Sequence, residues 1–115
     1  MSKIKFRFQD LEIWRMAMEI ADELEEKRLY RFTDQLRGAG MIMSNNIAEG
    51  SGSTSKKEFI RFLDIARRST FENANILFLL RRRNLIGDKT LELLLDRLDH
   101  LCRMITKFQN SLNLN

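Results

Sequence analysis

Apolar residues recur along this chain three and four positions apart, the spacing of one face of a helix, and no stretch alternates in the manner of a strand. Proline is absent and glycine is confined to Gly38, Gly40, Gly50, Gly52 and Gly87, so long helices can run without an internal breaker. The pattern predicts four. The first begins after Asp10, a good N-cap residue, and its stripe Leu11, Trp14, Ala17, Met18, Ala21 and Leu24 is the expected core face. Glu12, Arg15, Glu19, Asp22, Glu23 and Glu26 form its opposite side, while Ile13, Met16 and Ile20 make a second apolar line that one bundle seam does not need. The second helix is expected over residues 32–49, with Leu36, Ala39, Met43 and Ile47 inward. Glycines inside a helix cost about 1 kcal/mol each relative to alanine, so Gly38 and Gly40 around Ala39 predict close packing or a bend.

The third and longest helix is expected over residues 56–83, with a core line of Phe59, Phe62, Leu63, Ala66, Thr70, Ala74, Leu77 and Leu80. Asn73 lies beside that seam, where an amide more commonly sets register through a hydrogen bond than binds a ligand. Ile60, Phe71 and Phe78 fall on a neighbouring face, again in excess of one seam. Ser55 and Glu58 have capping-box spacing for the start of this helix, and Gly50 suits a left-handed close to the one before it. Residues 84–88 read as a C-cap turn followed by an Asp88 N-cap, opening a fourth helix with Leu91, Leu94, Leu95, Leu98, Leu101, Cys102, Ile105, Phe108 and Leu112 on one side. Residues 1–9 are expected to form an extended arm pinned by Phe6 and Phe8, and residues 113–115 to fray. Short connections near Gly50 and Gly87 force neighbouring helices to reverse direction, so the fold class is all-α, an antiparallel up-down-up-down four-helix bundle.

A chain of 115 residues, 43% hydrophobic, has the usual size of one domain and can bury a core without disulfides or metal. Cys102 is the sole cysteine and no signal-peptide pattern opens the chain, which predicts a cytoplasmic protein. The longest apolar run, residues 76–80, falls far short of the roughly 20 residues of a membrane span. The formal charge of +4 is unevenly placed: residues 56–83 hold eight basic and three acidic side chains, while the rest of the chain is nearly balanced. Lys56, Lys57, Arg61, Arg67, Arg68, Arg81, Arg82 and Arg83 therefore form a candidate phosphate-binding face on the third helix, although such a stripe is also the ordinary solvated side of a helix. Consecutive helical residues point about 100° apart, so Arg81, Arg82 and Arg83 cannot all face one phosphate while the helix persists.

Candidate catalytic chemistry is sparse. His100 is the only histidine, at the margin of the fourth helix, and Arg97 occupies the position three before it, so no Glu-x-x-His pair of a di-iron bundle exists. Cys102 has no cysteine or histidine at metal spacing and reads as a small buried hydrophobe. Residues 50–53 lack the Lys-Ser/Thr of a phosphate loop. The acidic group Glu19, Asp22, Glu23, Glu25 and Glu26 is interleaved with Lys27 and Arg28, as solvated helix faces usually are. No nucleophile, base, metal or cofactor site can be assembled, and the expectation is a protein that is not an enzyme.

The string Asn46-Ile47-Ala48-Glu49-Gly50, then Ser55 to Leu63 and Ile65-Ala66, with Phe8 to Trp14 upstream and Gln35-Leu36-Arg37 between, resembles small bacterial four-helix-bundle proteins encoded in intervening sequences of 23S ribosomal RNA genes. Within that motif Asn46 can bond free carbonyls or the facing helix, and Glu49 can pair with Arg37 or Lys56; a structural role is favoured over contact with a partner. The resemblance, which extends to accessory proteins of diversity-generating retroelements, implies closed rings of bundles, commonly pentamers with a central channel. The surplus apolar residues Ile13, Met16, Ile20, Ile60, Phe71 and Phe78 suit the two unlike patches of such a ring interface. The expected function is a non-enzymatic, oligomeric RNA or ribonucleoprotein binding protein using the basic face of the third helix. The alternative is a scaffold that grips a polymerase or another enzyme without touching nucleic acid.

Overall fold

The computed structural model describes residues 3–113 and is all-helical there, with four long helices and no strand among the described residues. They are α1 (Glu12–Glu26), α2 (Asp34–Ser51), α3 (Lys56–Arg82) and α4 (Asp88–Asn113), with single 3-10 turns at Arg7–Asp10 and Leu29–Arg31. Met1, Ser2, Leu114 and Asn115, parts of the predicted arm and frayed end, lie outside the described residues. The helices touch in cyclic order, α1 with α2, α2 with α3, α3 with α4, and α4 with α1. Together they form a four-helix bundle with a single contiguous core.

Local chemistry accounts for most boundaries. Thr33 Oγ1 accepts the Gln35 N–H at 3.2 Å to start α2 at Asp34, two positions later than the sequence pattern suggests. Ser55 Oγ accepts the Glu58 N–H at 3.1 Å to start α3, as the capping-box spacing requires. At the other end of α3, Asn84 takes a left-handed conformation with φ 60°, and the Leu85 N–H reaches back to the Leu80 carbonyl at 2.9 Å, satisfying an end carbonyl. Asp88 lies inside α4 as its first residue rather than before it.

Gly50 behaves differently from the expectation. It has no positive φ and α2 continues to Ser51, so it is not a left-handed cap. Its value is space: a Cβ there would lie 2.7 Å from Phe59 Cδ1 and 2.9 Å from Phe62 Cβ. α2 and α3 therefore approach closely where they leave the connecting loop. Further along the same pair, the buried Ser69 hydroxyl donates to the Ala39 carbonyl at 2.8 Å. Fully buried Asn73 donates to the Ser69 carbonyl at 2.9 Å and lies 3.8 Å from Met43 Sδ. Gly40 packs near Leu24 and Tyr30, whereas Gly38 faces open space and contributes nothing to the small-residue contact.

α1 is rotated relative to the expected face. Ile13, Ala17, Ile20 and Leu24 are buried, Leu11, Trp14 and Ala21 are half-buried, and Met18 is exposed. A corner helix that packs against both α2 and α4 must bury a wide arc, and both apolar lines are used for it. At the start of α1, Phe8 covers Trp14 with ring centroids 5.0 Å apart, while Phe6 is largely exposed and stacks only on Phe8. Arg7 reaches across the closed end of the bundle to the Ser51 carbonyl at 3.4 Å and lies 5.2 Å from the Phe59 ring centroid.

Candidate nucleic-acid interface

The eight cations of the third helix do not form one free basic face. Arg61 Nε donates to Glu58 at 2.9 Å, one helical turn earlier, and its planar head lies 4.6 Å from the Phe62 ring centroid. Arg67 and Arg68 share Asp64, at 3.6 and 3.3 Å. Arg81 donates from Nε to Asp88 at 2.6 Å and from Nη1 to Asn84 at 3.1 Å, bridging the α3 and α4 ends. The charge-assisted bonds raise the Arg61 and Arg81 guanidinium pKa further, and the Arg81 contact holds Asp88 below its ordinary value of 3.8.

Lys56, Lys57, Arg82 and Arg83 have no carboxylate partner among the described residues. They sit at opposite ends of the 27-residue α3, about 40 Å apart at 1.5 Å per residue. The expected stripe thus resolves into two free pairs separated by a run of internally neutralised arginines. Surface pairs of this sort contribute little to stability, but an arginine bonded to its own carboxylate presents less positive potential to an incoming phosphate.

The surplus apolar residues divide in the same manner. Ile13 and Ile20 are 4% and 2% exposed inside the lone subunit, so they are core and not interface, which corrects the expectation drawn from their spacing. Met16 and Ile60 are half-buried at the edges of grooves. Phe71 and Phe78, at 64% and 54% exposure, remain in solvent on one line of α3, two turns apart. Beside Phe71 a cleft of about 230 Å³ runs between α3 and α4, lined by Thr70, Ala74, Leu95, Leu98 and Cys102 with Asp99 at its wall.

In the family-like motif, Asn46 donates to the Ile42 carbonyl of its own helix at 2.8 Å. Glu49 is exposed and pairs with neither Arg37 nor Lys56, so the ion pair anticipated from its spacing does not form. His100 lines a groove between α1 and α4 with Glu12, Arg15, Glu19 and Arg97, where Arg15 is bonded to both Glu12 and Glu19 and Arg97 lies 3.6 Å from Glu23. Among the described residues no three His, Cys, Asp or Glu side chains are grouped to hold a metal ion, and no helix is long and apolar enough to cross a membrane.

Arg28, Arg31 and Arg37 converge with Tyr30 and Glu25 around a cleft of about 230 Å³ at the α1 to α2 connection. Arg37 lies 5.0 Å from the Tyr30 ring centroid and Arg31 lies 4.6 Å from that of Phe32. Arg28 holds a left-handed conformation with φ 56°. The signal in the sequence is the spacing of three arginines across a turn, diluted there because the acidic first helix precedes them. No curated protein matches the chain. A family model does, over residues 9–107, a span that takes in α1, α2, α3 and most of α4 together with the motif at residues 46–66. On that match the chain belongs to the 23S rRNA-intervening sequence protein family.

Proposed function

We propose that this protein is a non-catalytic, self-associating bundle that binds RNA or a ribonucleoprotein, with its contacts made by unpaired cations at the two ends of α3. The observation that carries this reading is the set Lys56, Lys57, Arg82 and Arg83, which lack carboxylate partners while their neighbours on the same helix are neutralised. Family membership adds the ribosomal RNA context. Two cations at a helix end are a weak phosphate site alone, but a ring of copies repeats each pair around a circle and turns isolated charges into a belt. The pentamer with a central channel belongs to this proposal, and so does a cytoplasmic location.

An antiparallel up-down-up-down arrangement is part of the same reading. It is supported by Gly50 lying against Phe59 and Phe62 while Ala39 meets Ser69, by Phe59 against Phe108 at 5.4 Å while Arg81 meets Asp88, and by Glu23 opposite Arg97. This topology places the ends of α3 at opposite poles of the molecule.

The test is a salt titration of binding to structured ribosomal RNA and to a random duplex of equal length. Neutralising phosphates makes log K fall linearly with log salt, by about 0.9 per phosphate on duplex. A linear decline that is shallower for the Lys56→Gln/Lys57→Gln variant supports the reading; affinity independent of salt, or no binding, rejects it. A second reading is favoured by exposed Phe71 and Phe78 beside the apolar α3/α4 cleft: a scaffold that grips another protein through this face. Pull-down after nuclease treatment separates the two, because only a protein contact survives it.

A further inference from the structure

We infer that the cleft formed by Arg28, Tyr30, Arg31 and Arg37 is a phosphate-binding site, and that its ligand is a phosphate group of an RNA strand. The inference rests on the RNA-binding reading but places a contact where the basic third helix does not. Three arginines line one concavity of about 230 Å³, against a share of roughly 30 Å³ for one water in the liquid. Glu25 is the one carboxylate on its wall, so the lining carries a surplus of positive charge. None of the three arginines is ion-paired among the described residues, in contrast to Arg15, Arg61, Arg67, Arg68, Arg81, Arg97 and Arg103 elsewhere on the surface.

The arginines are also partly fixed in place. Arg37 is held over Tyr30 and Arg31 over Phe32, so two planar donors are positioned before any ligand arrives. Tyr30 is itself anchored, its hydroxyl donating to the Ala21 carbonyl at 3.4 Å, and burial followed by the nearby Glu25 charge pushes its pKa up. Arginine presents its N–H groups as a fork that matches two phosphate oxygens, a geometry lysine lacks. In the antiparallel arrangement the C-terminal end of α3 falls at this pole of the molecule, bringing Arg82 and Arg83 to the same end as the cleft.

The source of the phosphate is either a strand terminus or an internal diester. Binding of a 5′-phosphorylated and a 5′-hydroxyl oligoribonucleotide of one sequence, by fluorescence anisotropy, distinguishes them. The expected result is that Arg28→Gln/Arg37→Gln weakens binding of the phosphorylated strand about tenfold or more and flattens its salt slope by about 1.4, the value for two contacts on a single strand. An internal diester gives the same loss with both oligonucleotides; a terminal phosphate gives it with the phosphorylated one alone. Unchanged affinity and slope in this variant overturn the site, even if Lys56→Gln/Lys57→Gln weakens binding and the RNA-binding reading stands. Absence of binding to either oligonucleotide overturns it as well. Both arginines replaced are exposed, and a melting curve matching the parent confirms that the fold is intact.

Discussion

Replacing Gly50 with alanine tests the closest approach in the fold, because two effects of known sign oppose each other there. Gly50 lies within α2, where alanine is favoured over glycine by about 1 kcal/mol in propensity. Against this, the new methyl would lie 2.7 Å from Phe59 Cδ1, 3.2 Å from Phe59 Cε1 and 2.9 Å from Phe62 Cβ. Phe59 is 2% exposed and is locked edge-on against Phe108, so its ring cannot swing away. The Phe62 contact is to a Cβ, which moves only with the α3 backbone. Overpacking of this kind costs about 1–3 kcal/mol, and separating α2 from α3 here also disturbs the Ser69 to Ala39 bond and the Asn73 contact with Met43 Sδ further along the pair. The clash should win, for a net loss of up to about 2 kcal/mol and a fall in Tm of up to several degrees. Gly38→Ala is the matched control: nothing lies within 4 Å of its would-be methyl, so it should gain up to about 1 kcal/mol. Thermal melts of both variants at one protein concentration decide the matter. A Gly50→Ala variant as stable as the parent would refute the close-packing argument.

Two other outcomes follow from the surface. Phe71→Ser with Phe78→Ser should leave the subunit's own stability within about 0.5 kcal/mol, since both rings are exposed, yet weaken self-association by two orders of magnitude or more, as expected for two Phe side chains that no longer leave water; sedimentation velocity across a dilution series reads this, and unchanged assembly would remove these rings from the interface. Asp88 has its pKa lowered by Arg81, so its contribution to stability is present above its unfolded value near 3.8 and is lost as pH falls through the lower folded value. Parent and Asp88→Asn should differ in Tm at pH 7 and converge at the acid end; a difference that persists there would argue against the ion pair as its cause.

The helical content and several boundaries were legible in the chain because they are set by local chemistry. Ser55 with Glu58, the left-handed Asn84 and the leucine repeat of α4 each act within a few residues. The orientation of α1 was not legible, since Ile13 and Ile20 compete with Leu11 and Met18 for the core, and only the positions of α2 and α4 decide between them. The need for glycine at position 50 comes from Phe59 and Phe62 across the helix pair and not from its own φ, so the local sequence does not reveal it. The basic character of α3 was visible, but the pairing of Arg61, Arg67, Arg68 and Arg81 depends on side-chain geometry that a charge count does not contain. The arginine cleft at the α1 to α2 turn required the turn itself to be folded before its members met.

Native mass spectrometry of the protein purified at low salt tests self-association and nucleic-acid binding in one experiment. The account predicts integer multiples of the 13.6 kDa subunit carrying additional mass that ribonuclease removes. A bare 13.6 kDa species under those conditions, with no retained RNA, would contradict it.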